Sequence, residues 1–299
     1  MEQNVVQVRN LQKDYSGRRA VDGVSFDIAR GETFALLGPN GAGKTTTVEI
    51  LEGFRRRSGG EVSVLGEDPA RAGLAWKARL GVVLQGAGQA GVLTVREQIR
   101  QFAGFFPRPR DVDEVIAAVG LDEQAGMRVS KLSGGQQRRV DVALGIIGNP
   151  ELLFLDEPTT GFDPVARREF WAMIRMLSAE GTTILLTTHY LDEAAQLADR
   201  VGIVVGGKLR AIGPVDEIGG THARVPIVRW REDGRSHERR TTEPAVFVAD
   251  LVARAGGEPA DLEIIRPSLE DIYLGLVAED TRPADAADLD AAPSLETNR

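Results

Sequence analysis

Apolar residues recur along the chain with two periods, and the alternation between them organises its first two thirds. Val5-Val6-Gln7-Val8 and Val24-Ser25-Phe26-Asp27-Ile28 alternate apolar and polar positions, as half-buried strands do. The runs at 32–37, 80–85, 152–158 and 182–188 are more continuously apolar and read as buried strands, with shorter strands at 61–66 and 201–205. The run at 152–158 fits a central strand of a parallel sheet, covered on both faces. Between these runs the period becomes helical. Val95, Ile99, Phe102 and Phe106 space a helix over 93–106, and a second at 112–119 is closed by Gly120. Ser133 caps a third that carries Val140, Val142, Leu144 and Ile147. Asp163 and Pro164 open a fourth, and 191–198 is a fifth. Strands alternating with helices predict an α/β domain over 1–219, with a helical insert at about 90–145.

Gly219-Gly220 marks a boundary, and the chain beyond it differs in kind. A strand at 225–230, a turn at Asp233-Gly234, a polar stretch at 235–242, a helix at 244–255 and a strand at 262–265 predict a small α+β module over 220–277. From 278 to 299 the chain is rich in Ala, Asp and Pro and poor in large apolar residues, the composition of a disordered acidic tail.

The chemistry is concentrated at the ends of the buried runs. Between the strand at 32–37 and a helix that begins near Thr46 stands Gly38-Pro39-Asn40-Gly41-Ala42-Gly43-Lys44-Thr45, a G-x-x-x-x-G-K-[ST] phosphate loop in its strand–loop–helix context. Its glycines let the backbone turn tightly and approach a ligand closely. Inward-pointing amides and the unpaired N–H groups of a helix start make a cradle for a polyanion. Lys44 should reach the β- and γ-phosphates, and the Thr45 hydroxyl should sit on Mg²⁺.

The run at 152–158 ends in Asp156 and Glu157. Ligands of parallel sheets collect at the carboxyl ends of strands, so both carboxylates belong beside the phosphate loop. One can hold Mg²⁺ and the next can orient or deprotonate the attacking water; a salt-bridged strand end is the alternative. His189 ends the run at 182–188, where it could sense or orient the γ-phosphate. Ser133-Gly134-Gly135-Gln136 is either a plain capped helix start or a second anion cradle. Tyr15, in the stretch 13–17, is either a turn aromatic or a ring for stacking on adenine.

The 299 residues suffice for one large or two modest cores, and 42% apolar with 27% charged residues is ordinary for a globular protein. No run approaches the ~20 apolar residues of a membrane span, and the N-terminus lacks the pattern of a secretory signal, so a cytoplasmic location is expected. The absence of cysteine excludes disulfides, zinc–thiolate sites and thiol catalysis. A net charge of −8 argues against a nucleic-acid partner, and half of it lies between Glu279 and Arg299, where six acidic residues face two basic ones.

Taken together and in this order, the phosphate loop, Gln85, Leu132–Gln136, Asp156-Glu157 and His189 resemble the nucleotide-binding subunit of an ATP-binding cassette (ABC) transporter, over about residues 5–218. The Leu132–Gln136 string matches that family's signature. The resemblance implies a P-loop NTPase core of ABC ATPase type, with an antiparallel β subdomain and the helical insert. It implies that ATP and Mg²⁺ are bound by Tyr15, by residues from Gly38 to Thr46, by Gln85 and by Ser133, Gly134, Gly135 and Gln136. Thr45, Gln85 and Asp156 would hold the metal, Glu157 would be the general base, and His189 would contact the γ-phosphate. Gly161-Phe162-Asp163 resembles the loop that crosses to a second subunit, with Phe162 where the family usually has Leu. The implied partners are a second copy of the chain, closing head to tail, and a separately encoded transmembrane permease on whose cytoplasmic face the ATPase sits.

The wording of 132–139, 186–194 and 268–274 is similar to ATPases of ABC-2 type exporters, the group containing the daunorubicin/doxorubicin resistance ATPase. Efflux of a drug, an antibiotic or another hydrophobic compound is therefore expected. The competing readings are an importer ATPase and a soluble ABC ATPase acting on ribosomes or DNA. Members of the latter group normally carry two cassettes or a coiled-coil insert, and this chain has one cassette and no heptads.

Overall fold

A computed structural model describes residues 4–84, 92–232, 234–257 and 259–281. Two compact units divide the chain, residues 1–218 and 219–299. In chain order the first unit contains β1 (Asn4–Tyr15), β2 (Arg18–Ala29), β3 (Thr33–Leu37), α1 (Lys44–Leu51), β4 (Gly59–Val64), α2 (Leu74–Lys77), β5 (Leu80–Val83), α3 (Val95–Ala103), α4 (Val112–Ala118), α5 (Gly134–Ile146), β6 (Leu152–Asp156), α6 (Pro164–Ala179), β7 (Thr183–Thr188), α7 (Leu191–Leu197), β8 (Arg200–Val205) and β9 (Lys208–Pro214). The second contains α8 (Gly220–Ala223), β10 (Ile227–Glu232), β11 (Arg235–Arg240), α9 (Pro244–Ala255), β12 (Ala260–Ile265) and α10 (Leu269–Thr281).

Two sheets build the first unit. The larger has the order β5-β6-β7-β3-β8-β9, parallel except for β9, which runs antiparallel at the edge. Every residue of β3, β6 and β7 is buried, which is why their sequences show little alternation. The smaller sheet, β2-β1-β4, is antiparallel, and its strands alternate buried and exposed residues. It buries Val6, Val8, Leu11, Val24, Phe26 and Ile28 in a cluster shared with Phe34 of β3 and Phe154 of β6.

Helix starts follow local chemistry. Thr94 and Glu97 form a reciprocal cap on α3, Asp111 caps α4, and Asp163 caps α6 with Pro164 at its first turn. Helix α3 is shorter than the periodicity predicts, because the Thr94 cap fixes its start and Gly104 its end, leaving Phe105 and Phe106 outside. Helix α5 lies against β5 at a glycine contact. A Cβ on Gly81 would sit 2.3 Å from the Gly145 carbonyl oxygen and 2.8 Å from a Leu153 methyl.

Several elements exceed or escape the sequence pattern. The stretch 13–17 is mostly strand, because the turn between β1 and β2 needs only Ser16 and Gly17, both at positive φ (41° and 86°). Strand β9 follows a similar hairpin at Gly206-Gly207. In the second unit the antiparallel sheet has the order β11-β10-β12. The polar stretch after Asp233-Gly234 is strand β11; all six of its residues are exposed, so no apolar period marks it. Helix α10 continues to Thr281, four residues past the limit expected at 277.

The glycine contact predicts that Gly81→Ala pushes α5 away from the sheet. The overpacking should cost about 1–3 kcal/mol and lower the melting temperature by roughly 3–10 °C, read by circular dichroism. An unchanged transition would mean that helix and strand are not in close contact.

Candidate functional site

Strand order places the chemistry. Strands β6, β7 and β3 are adjacent, all parallel, and their carboxyl ends lie on one edge of the sheet. After β3 the chain enters the phosphate loop, after β6 it carries Asp156 and Glu157, and after β7 it carries His189. Such an edge is where parallel sheets bind ligands.

The phosphate loop turns into α1 through Gly43, whose φ of 103° lies in the left-handed region. A Cβ there would come within 2.5 Å of the Ala20 carbonyl oxygen on β2, so both backbone conformation and space call for glycine. Lys44 is buried, and its ammonium folds back to donate to the carbonyls of Gly38 (2.7 Å) and Pro39 (3.2 Å). Burial lowers its pKa, opposed by the negative charges of Glu157 and Asp156, which lie close enough to act on it. Thr45 is exposed at the start of α1, Thr46 is half-buried, and the buried Thr47 hydroxyl donates to the Gly43 carbonyl (2.9 Å).

Asp156 is 9% exposed and accepts a hydrogen bond from the Thr187 hydroxyl, its register partner on β7. Glu157 follows with φ 44°, an uncommon conformation for a residue with a side chain. Its amide donates to the Thr187 carbonyl oxygen (3.0 Å), and its carboxylate oxygen lies 3.2 Å from Nδ1 of His189. Lys44, Asp156, Glu157 and His189 therefore meet, although 145 residues separate the first from the last.

The other expected residues are arranged differently. Tyr15 closes β1 and is 36% exposed, with the Lys13 ammonium 4.9 Å and the Arg55 guanidinium 5.3 Å from its ring centre. Ser133 caps α5: its hydroxyl accepts from the Gln136 amide (3.3 Å) while its own amide donates to the Gln136 side-chain oxygen (3.0 Å). Ser133, Gly135 and Gln136 line a cavity of about 530 Å³ with Asp122, Arg139 and Phe162, and none of Lys44, Asp156, Glu157 or His189 is in its wall. Gly134, the first residue of α5, is exposed. Gln85 lies outside the described residues.

Comparison with known proteins shows the family of the chain. The ABC transporter family pattern matches residues 21–160. A daunorubicin resistance ATP-binding protein of Streptomyces coeruleorubidus is 35% identical over 319 aligned positions, covering 96% of this chain and 100% of that protein. The chain belongs to the ABC transporter family. A Nod factor export ATP-binding protein I of Burkholderia orbicola is 36% identical, over 92% of this chain and 97% of that protein. Among solved structures, a dimeric ATP-binding cassette in a post-hydrolysis state with ADP and phosphate superposes with a TM-score of 0.63 at 22% identity, covering 70% of this chain and 98% of that one, a likeness of fold.

The chain is thus an ATPase of this family, and it binds nucleotide. Among its described residues no helix is long and apolar enough to cross a membrane. Three residues of this ABC ATPase support the strand ends and were not anticipated. Thr187 bonds both Asp156 and the Glu157 backbone. Glu193, fully buried, accepts from the Thr159 hydroxyl (2.8 Å) and the Trp171 indole (3.2 Å), just past Pro158. Arg138, on α5, reaches the backbone at the end of β6. Thr187 is one of four threonines in the run at 182–188, so nothing local set it apart. Arg138 carried no signal either, because one of two adjacent arginines on a helix reads as solvated surface.

Proposed function

We propose that this ABC ATPase is the hydrolytic subunit of an ABC-2 type exporter whose permease is a separate chain. The observation that carries the hydrolytic part is the meeting of Lys44, Asp156, Glu157 and His189 at one sheet edge. Export is supported by two relatives aligned over nearly their full lengths, one named for daunorubicin resistance and one for Nod factor export. By that likeness the cargo is a drug, an antibiotic or another hydrophobic compound. The permease chooses it, and the ATPase works on the cytoplasmic face of the membrane.

In this reading Tyr15 stacks on the adenine, and the amides from Gly38 to Thr46 wrap the phosphates. Lys44 directs two of its three donors to loop carbonyls, which aim the amine across the loop. The residues also suit Mg²⁺. Among the described residues no cluster of three or more His, Cys, Asp or Glu forms a cation cage. Magnesium needs none, since it is commonly held by one or two protein groups together with nucleotide phosphates. Thr45 and Asp156 would hold it here, with Gln85 added by the resemblance. Bound there, the ion neutralises part of the charge on the β- and γ-phosphates.

Glu157 accepts a proton from water as its oxygen attacks the γ-phosphorus, and ADP departs with the bridging oxygen. His189, donating through Nδ1 to Glu157 when protonated, holds that carboxylate and presents its other nitrogen to the γ-phosphate. The Ser133–Gln136 cradle faces a separate cavity, so it serves ATP held by a second copy of the chain, and that copy's cradle serves the ATP bound here.

Two substitutions test the assignment. Glu157→Gln should lower turnover by about 10²-fold or more while ATP still binds, and light scattering should then find more dimer with ATP than without. Wild-type hydrolysis by that variant would remove Glu157 from the role of base. Lys44→Ala should weaken binding of a fluorescent ATP analogue by roughly 10- to 100-fold, the value of a charge-assisted contact to phosphate. Undiminished affinity would contradict the aimed amine.

A further inference from the structure

We propose that Arg138 is a positioning residue for hydrolysis, clamping the backbone on both sides of Glu157 to the helix that begins at the signature. The inference rests on Glu157 acting as the base proposed above.

Arg138 stands two residues past Gln136 on α5 and is 9% exposed. Its guanidinium donates to carbonyl oxygens. Nε reaches that of Pro158 (3.0 Å), Nη2 that of Asp156 (2.9 Å), and Nη1 that of Leu84, the residue before Gln85. The nearest carboxylate, on Asp141, is 3.7 Å away, too far to be its main partner. A buried cation satisfied by three backbone acceptors is a costly arrangement, and hydrophobic packing would join a helix to a sheet more favourably. The choice of carbonyls shows what the arginine secures.

Asp156 and Pro158 flank Glu157, whose φ of 44° is a strained value. A non-glycine residue in that region costs on the order of 1 kcal/mol and persists only where its surroundings fix it. A change of φ at Glu157 would require the peptide group entering it to rotate, and Arg138 holds that group by the Asp156 carbonyl while its bond to the Pro158 carbonyl anchors the chain one peptide group beyond Glu157. The fork is rigid and planar, so the two contacts are set together. Lysine, with one flexible nitrogen, cannot span three acceptors in this way. The same guanidinium joins the ends of β5 and β6 to the helix that carries Ser133, so a displacement of α5 is transmitted to the carboxylate.

The test compares Arg138→Ala, Arg138→Lys, Glu157→Gln and the double variant Glu157→Gln/Arg138→Ala in the full chain. Each is assayed well below its own melting temperature. Arg138→Ala should lower kcat by roughly 10- to 100-fold, as small misplacements of a reacting group do. KM for ATP and affinity for a fluorescent analogue should stay within about threefold, and Arg138→Lys should recover only part of the rate. Because Arg138 acts through Glu157, adding Arg138→Ala to Glu157→Gln should slow the residual rate no further. Wild-type kcat in Arg138→Ala beside an inactive Glu157→Gln would overturn the inference and leave the base intact. Multiplying losses in the double variant, or equal losses of kcat and analogue affinity, would also overturn it. Wild-type turnover in Glu157→Gln would instead overturn the reading of the base, and this inference with it. Should Arg138→Ala fail to fold, the Lys variant carries the same comparisons.

Discussion

A buried ammonium bonded to loop carbonyls, in the field of two carboxylates, is the interaction on which the site depends. Burial alone pulls the Lys44 pKa down. Asp156 and Glu157 push the other way, and the Gly38 and Pro39 carbonyls satisfy the donors directly. The balance fixes the amine, and with it the shape of the phosphate loop. It also ties the loop to the end of β6, which is remote in sequence. In the proposed reading a triphosphate in the loop would meet a lysine desolvated and oriented by the loop's own carbonyls, so little of its binding energy would go into ordering that side chain.

The fold supplies the remaining constraint. A parallel sheet covered on both faces leaves its central strands almost no polar positions except at their ends. Asp156, Glu157 and His189 are polar where the strands stop, and the order β6-β7-β3 sets those stops side by side. The Thr187 hydroxyl on Asp156 and the Thr187 carbonyl on the Glu157 amide then lock two neighbouring ends together. The polar groups are few and well partnered, and partnered groups are what a low-dielectric edge tolerates.

Much of this is legible in the sequence, and the legible parts share a cause. Runs such as 152–158 are apolar because burial demands it, and the break in the run marks the strand end where chemistry begins. The phosphate loop can be read because its residue types answer to backbone geometry, as the left-handed φ of Gly43 illustrates. The hidden features are those that burial does not mark. Strand β11 is exposed along its whole length and exists through pairing with β10. The turn at Ser16-Gly17 is shorter than its polar surroundings suggest, because two residues at positive φ suffice to reverse a hairpin. Arg138 is invisible for a different reason. Whether an arginine is solvated or buried against carbonyls depends on tertiary neighbours, here residues from 84 to 158, and no local period encodes them.

The start of α5 shows how a capped helix can also remain open to an anion. Ser133 and Gln136 satisfy each other's amides in the plane of the cap. That exchange occupies the serine oxygen as an acceptor and leaves its proton free to be donated. The amides of Gly134 and Gly135 lie within the first turn, where a helix has no internal acceptors for them, and no side chain crowds Gly134. An arriving phosphate would therefore gain hydrogen bonds here without breaking the cap. The cavity beside it is walled by Phe162 and Glu169 and not by the phosphate loop of the same chain. In the proposed dimer a second copy would bring the two cradles face to face, and association would then be conditional on the nucleotide, because the terminal phosphate would be the charge both surfaces lack.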